Sequence, residues 1–188
     1  MGSLMYASLG TCPDVMFAVQ TLSRFAKNPG LAHWDAVKRV FQYLKGTHEL
    51  WLSYGGTKND LEGYADADGS MMEDRRAVSG YAFVVYGGAV LWSAKRQEIV
   101  SLSTTESEYI AATYATKEAL WLRTLISQIF GPALPATTLY LVCGLDWGRV
   151  RLLAPDPTPV HNPYPSNSGR VLLGVTWGMG RVPGVLPI

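Results

Sequence analysis

Two short acidic motifs hold the residues best suited to chemistry: Tyr64-Ala65-Asp66-Ala67-Asp68 and Ser103-Thr104-Thr105-Glu106-Ser107-Glu108-Tyr109. The first closes an alternating stretch and the second opens a stretch of helical period. That pattern predicts a carboxylate at a strand end and further carboxylates in the first turns of a following helix. Acids set this way can share divalent cations. Two Mg²⁺ ions ~4 Å apart drive phosphodiester hydrolysis, one activating water and the other stabilising the leaving oxygen. Because Mg²⁺ takes hard oxygen ligands in near-octahedral geometry, the number of acids decides whether such a site holds metal.

Each candidate also has a purely structural reading. Asp66 and Asp68 alternate to the same strand face and precede Gly69-Ser70, where aspartate is a common turn residue. Thr105-x-x-Glu108 fits a capping box, and Glu106 would sit in a first turn that the helix dipole favours for acids. Arg75-Arg76 and Lys95-Arg96-Gln97 suit phosphate contact or a solvated hairpin tip equally well. Trp92 and Trp121 lie in apolar periodic segments and are expected in the core. His33 and His48 share no motif with a carboxylate or cysteine, so neither is assigned a role.

The elements that must position these residues follow from periodicity. Val15, Ala18, Val19, Leu22 and Phe25 predict a helix from Thr11 to Lys27, stopped by Asn28-Pro29-Gly30. A second helix would bury Trp34, Val37, Val40, Phe41 and Leu44 and end at Gly46. Strand patterns run from Leu50 to Asp68, from Ser79 to Val85 with Tyr81, Phe83 and Val85 on one side, and from Ala89 to Ser93 after a Gly87-Gly88 turn. A short strand is expected from Glu98 to Leu102. A long helix from Thr105 to about Phe130 follows, with Tyr109, Ala112, Ala119, Leu122, Ile126 and Ile129 inward, and Thr138 to Val142 is the last strand.

The reading is an α/β chain: a two-helix segment over 1–48, a mixed sheet in the order β-β-β-α-β over 50–142, and an irregular tail over 143–188. The tail holds Pro155, Pro157, Pro159, Pro163, Pro165, Pro183 and Pro187 and has no sustained period, so no further helix is expected there.

A chain of 188 residues with 48% hydrophobic content can bury a substantial core. A net charge of +1 excludes a global basic field, so nucleic-acid binding would need a local patch. The charges are unevenly spread: thirteen of the fifteen acids, and every lysine, lie at or before Glu118. Cys12 and Cys143 are too few for a disulfide framework or a zinc site. With no signal peptide and no apolar run of the ~20 residues that cross a bilayer, the expectation is an intracellular chain, cytoplasmic or nuclear, with no membrane partner.

Motifs spread over the chain resemble one family, the ribonuclease H domain at the end of the copia-type retrotransposon polyprotein. They are Gly63-Tyr64-Ala65-Asp66-Ala67-Asp68, Asp74-Arg75-Arg76, Ser79-Gly80-Tyr81, Gly87-Gly88-Ala89, Trp92-Ser93-Ala94-Lys95-Arg96-Gln97, Glu106-Ser107-Glu108-Tyr109 and Lys117-Glu118-Ala119-Leu120-Trp121-Leu122. His33-Trp34-Asp35-Ala36-Val37-Lys38-Arg39 and Tyr43-Leu44-Lys45-Gly46-Thr47 resemble the family's connection from reverse transcriptase to ribonuclease H. The order β-β-β-α-β is the first half of a ribonuclease H-like fold.

The resemblance implies hydrolysis of the RNA strand of RNA/DNA hybrids, with Asp66 and Glu108 as catalytic metal ligands and Asp68 as the runner-up to Asp66. It implies Mg²⁺ or Mn²⁺ as cofactor, Arg75, Arg76, Lys95 and Arg96 as contacts to nucleic acid, and the hybrid and the remaining polyprotein as partners. Two departures bear on this. Gly69-Ser70-Met71-Met72 replaces a usual tryptophan after Asp68. Where the family reads Leu-Tyr, a small residue and Asp-Asn-Gln, this chain reads Leu139-Tyr140-Leu141-Val142-Cys143-Gly144, so Val142 stands at the third acid. Asp146 lies four residues later, ~13 Å along an extended chain, and Asp156 and His161 lack the context of the fourth acid. The expectation is weakly bound metal and an inactive copy. A shifted reading frame after Tyr140 would produce this change in composition, as would an unrelated proline-rich extension.

Overall fold

The computed structural model describes residues 1–56, 60–68, 76–131, 136–143, 146–152 and 173–175, with side chains as far as Leu141. Period-two alternation builds β1 (Glu62–Asp68), β2 (Val78–Val85) and β3 (Gly88–Arg96) into an antiparallel meander, with Asp66 opposite Gly80 and Gly80 opposite Ala94. The β2–β3 hairpin turns through Tyr86 and Gly87, both at positive φ (52° and 79°), the mirror-image turn that matches strand twist. The turn thus sits one residue earlier than Gly87-Gly88. The long helix, Thr104–Phe130, leads to β4 (Thr137–Cys143), which lies parallel to β1 with Tyr64 beside Tyr140. Parallel neighbours need a crossover, and this helix supplies it.

One sheet face packs on that helix. Leu61, Ala65, Phe83, Val85 and Leu139 meet Ala115, Ala119 and Leu122 in a closed core. Ala111, Ala115 and Ala119 recur every fourth residue, and their small side chains let the helix approach the strands closely. Gly63 is needed here: a Cβ would fall 2.5 Å from the Phe83 ring and 2.8 Å from Leu139, contacts no core accommodates without moving.

The other face carries an N-terminal helical unit made of α1 (Gly2–Gly10), a 3₁₀ turn (Pro13–Val15), α2 (Met16–Ser23) and α3 (Leu31–Gly46). With these, the long helix is α4. The unit closes on Leu4, Val15, Val19 and Val40, while Met16 packs on Val78, Trp92 and Ala94 of the sheet. Two hydrogen bonds fix it: Trp92 Nε1 donates to the Ser8 carbonyl (2.7 Å), and the Tyr43 hydroxyl donates to Asp14 (2.8 Å). The α/β class expected from sequence holds, as three layers with the sheet in the middle.

Several expectations are corrected. The helix expected over 11–27 is broken, because Pro13 and the extended Cys12 (ψ 77°) interrupt it, and an unexpected helix precedes it at Gly2–Gly10. Among the described residues of 50–68, only Glu62–Asp68 is a strand. Residues 53–56 instead clasp the hairpin: the Gly55 and Gly56 N–H groups both donate to the Tyr86 carbonyl, and the Tyr54 hydroxyl donates to the Ala89 carbonyl. Residues 98–102 form no strand, since the chain must leave the edge strand β3 and turn into α4. Trp34 (59% exposed) and Phe41 (55%) face outward, because α3 meets its neighbours along the narrower stripe Val37, Val40 and Leu44. Tyr109, Trp121 and Ile129 are likewise exposed, and Ser107 and Ala111 take the inward positions at the start of α4.

Beyond β4 the chain is not wholly irregular. β5 (Asp146–Leu152) pairs antiparallel with β4, and β6 (Leu173–Val175) pairs with β5, giving the order β3-β2-β1-β4-β5-β6. The alternation of Gly148, Val150 and Leu152 with Trp147, Arg149 and Arg151 is a short period-two signal among the surrounding glycines and prolines. No helix among the described residues is long and apolar enough to cross a membrane.

Candidate functional site

Alternation in β1 divides its residues by face. Leu61, Gly63 and Ala65 go under α4, so Glu62, Tyr64, Asp66 and Asp68 belong to the opposite face, where both aspartates are exposed. Tyr64 stacks on Tyr140 (centroids 5.1 Å apart), and its hydroxyl donates to Glu62 (3.3 Å). Burial, then the Glu62 carboxylate, pushes the Tyr64 phenol up to about 12, so it stays a neutral donor at neutral pH. Asp66 accepts from the Ala67 N–H (2.7 Å), and Gly80 opposite it contributes no side chain to that face.

The start of α4 is built differently from the expected capping box. Ser103 is the N-cap: its Oγ accepts from the Glu106 N–H (3.1 Å), and the Glu106 carboxylate reaches back to the Leu102 N–H (2.6 Å). Capping therefore belongs to Ser103 and Glu106, and neither Thr105 nor Glu108 is used for it. Glu108 is half-buried in the second turn.

Gln97 anchors this end of the helix. Its Nε2 donates to Ser79 Oγ (2.8 Å) and to the Ser107 carbonyl (2.9 Å), and its backbone N–H donates to the Ala77 carbonyl (2.8 Å). Its buried Oε1 has no partner among the described residues. Ser79 pairs with Ala67 in the sheet, so this tether sets the helix turn before Glu108 over the end of β1 that holds Asp66 and Asp68. Farther along, the half-buried Arg123 donates to Thr137 (2.7 Å) and ties α4 to the start of β4, its burial lowering the guanidinium pKa. Both ends of the crossover are thereby pinned.

Asp66 and Asp68 share one face at one end of the sheet. Glu108 belongs to the helix on the other face at that same end. The β1–β4 register pairs Gly63 with Leu139, Tyr64 with Tyr140 and, last, Ala65 with Leu141; Asp66 and Val142 are the residues that follow this last pair in their strands. Among the described residues no three His, Cys, Asp or Glu side chains are grouped to hold a metal ion. This donor set does not fit a pair of Mg²⁺ or Mn²⁺ ions.

Of the four basic residues singled out in the sequence, Arg76, Lys95 and Arg96 line one groove of about 280 Å³, together with Phe17, Gln20, Thr21 and Arg24. Arg75 lies outside the described residues, as do the side chain of Asp146 and all of Asp156 and His161. Sequence reasoning missed Arg24 and the anchoring role of Gln97, since neither shares a local motif with an acid. His33 has a structural role: its Nδ1 accepts from the Gly30 N–H (3.0 Å) at the start of α3, and its ring stacks on Phe25.

Comparison with known proteins bears on this arrangement. The retrovirus-related Pol polyprotein from transposon TNT 1-94 of Nicotiana tabacum is 47% identical over 130 residues, 69% of this chain and 10% of the polyprotein. That from transposon RE2 of Arabidopsis thaliana is 36% identical over 132 residues, 69% of this chain and 9% of the polyprotein. Over about two thirds of its length the chain is therefore similar to a segment of retrotransposon Pol polyproteins. It spans about a tenth of the length of these two Pol polyproteins. A short relative, the secreted RxLR effector protein 161 of Plasmopara viticola, is 46% identical over 125 residues that make up 65% of this chain and 87% of the relative. No family model matches the chain, and no solved structure does.

Proposed function

We propose that this chain is a ribonuclease H-like module that binds RNA/DNA hybrids and, in this copy, does not cleave them. The order β3-β2-β1-β4, with β1 and β4 parallel through α4, supports the ribonuclease H-like reading of the first half of the domain. Asp66 at the end of β1 and Glu108 early in α4 are the residues that match the family's metal-ligand motifs in sequence, which supports the same reading. When bound, paired Mg²⁺ or Mn²⁺ ions supply the family with an activated water and a stabilised leaving oxygen. The chain's own groups here are two exposed aspartates on one face, a half-buried glutamate on a helix against the other, and a neutral tyrosine beside them.

The observation that supports the inactive reading is the β1–β4 register, whose last pair is Ala65 with Leu141, so that Val142 follows in β4 as Asp66 follows in β1. An apolar residue there removes an anionic oxygen from the middle of the ligand set, and a neighbouring strand position cannot be replaced by an acid farther along the chain.

The assay is direct: incubate the protein with an end-labelled hybrid and Mg²⁺ or Mn²⁺, beside Asp66→Asn. The expected result is a shifted hybrid and an intact RNA strand for both proteins. Cleavage that Asp66→Asn abolishes would overturn the inactive reading, and no binding of the hybrid would overturn the binding one.

A further inference from the structure

One flank of α4 carries a row of apolar side chains turned away from the core. Ile110, Tyr114, Trp121 and Leu125 follow a helical spacing that sets them on one stripe about four turns long. Trp121 is 55% exposed, and Tyr114 and Leu125 are exposed with it. Exposed apolar residues are ordinary when scattered singly, but a continuous row marks an interaction surface. The row lies on the β2 side of the helix. Burial, and then the nearby Glu118 carboxylate, raises the Tyr81 phenol pKa, so Glu118 stands over β2, whereas Arg123 on the opposite flank reaches Thr137 of β4. Beside the row, Tyr81 of β2 and Leu91 of the edge strand β3 are only partly buried. Lys117 and Glu118 border the row at its middle, about 50° to either side of it on the helix. Lys117 Nζ lies over the Tyr114 ring, 5.8 Å from its centroid, which holds the cation at its edge. Neither charge has an ion-pair partner among the described residues.

We propose that this row is the interface of a homodimer in which two α4 helices pack side by side and parallel, about a two-fold axis running along them. The bordering charges select both the partner and its direction. A two-fold axis along the helices sets each Lys117 against the partner's Glu118, once on either edge, and brings Trp121 against the partner's Trp121 at the axis. Antiparallel packing would instead oppose Lys117 to the partner's Lys117 and Glu118 to the partner's Glu118. The parallel pair also puts the two sheets on opposite sides of the helices, so each α4 covers the Tyr81 and Leu91 surface of the other copy. A surface that matches itself on both edges and along its apolar centre fits a second copy of this chain better than an unrelated protein. None of these side chains belongs to the acid-bearing end of β1, so dimerisation is separable from hybrid binding.

Sedimentation equilibrium of the full chain over a range of concentrations measures the association. The parent is expected to dimerise, and Trp121→Ala should raise the dimer Kd about thirtyfold or more, as loss of a central aromatic anchor does. Lys117→Glu and Glu118→Lys should each raise it about tenfold, because each turns two attractive contacts into two repulsive ones. An equimolar mixture of those two variants should regain the parental Kd, since both edges of the mixed pair again oppose unlike charges. Circular dichroism melting checks that each variant folds like the parent. Lys117 is exposed, so its reversal leaves the core intact should Trp121→Ala fail to fold.

A parent that stays monomeric at every concentration would overturn the dimer and leave the row to a different protein. A dimer whose Kd none of the three substitutions changes would overturn this interface. Weakening by both charge reversals with no recovery on mixing would overturn the parallel arrangement.

Discussion

Val142→Asp is expected to raise the affinity of the protein for Mn²⁺ by at least about tenfold and to bring metal-dependent cutting of the RNA strand of a hybrid with it. The parallel register of β1 and β4 ends at Ala65 and Leu141, so position 142 and Asp66 each come one residue later on neighbouring strands, and such strands lie ~5 Å apart along the hydrogen-bonding direction. Two carboxylates at that spacing repel unless a cation lies between them, so the new acid both supplies ligand oxygens and makes the empty site less favourable. Isothermal titration with Mn²⁺ checks the first effect and a labelled hybrid the second. Combining Val142→Asp with Asp66→Asn should return both to the parental level. Unchanged metal affinity in Val142→Asp would show that position 142 is not where the ligand set is broken.

Phe83→Ala should cost about 3–5 kcal/mol, the usual penalty for emptying an aromatic site in a core that cannot collapse around it. Phe83 is fully buried, and its ring lies against Gly63, whose missing side chain leaves the space the ring occupies. Leu139 closes on it from β4, and Ala115 and Ala119 belong to the same cluster from α4. Since a domain of this size has ~5–15 kcal/mol in total, the loss is a large share of its stability. Urea unfolding followed by circular dichroism reads it as a fall in midpoint at constant slope. A loss below about 1 kcal/mol would mean that the sheet and α4 do not share the tight core described.

The sheet from Val78 to Arg96 and the long helix were legible because their signals are local. Alternation of Tyr81, Phe83 and Val85 gives a strand, glycine at a hairpin gives a turn, and a run without proline or glycine ending at Gly131 gives a helix. The strand holding Val142 was legible for the same reason, from the apolar run Leu139-Tyr140-Leu141-Val142.

What escaped depends on partners distant in the chain. Leu4, Met5, Tyr6, Ala7 and Leu9 mark no single face, so Gly2–Gly10 has no helical period to read, and it folds against Val15, Val19 and Val40. Trp34 and Phe41 obey the period of α3 and still face outward, because a buried stripe is set by what packs on it. Ser103 and Thr105 are both credible caps in a sequence, and the Glu106 N–H on Ser103 Oγ, with the Leu102 N–H on the Glu106 carboxylate, distinguishes them. The groove is of the same kind: Arg24 follows the end of α2, and only the packing of the helical unit on the sheet sets it beside Lys95 and Arg96.

The account turns on how many divalent ions the unaltered protein can hold at the end of β1. Titration with Mn²⁺ followed by electron paramagnetic resonance counts them. An incomplete ligand set predicts at most one weakly held ion, lost in Asp66→Asn, whereas two tightly bound ions that Asp66→Asn releases would contradict it.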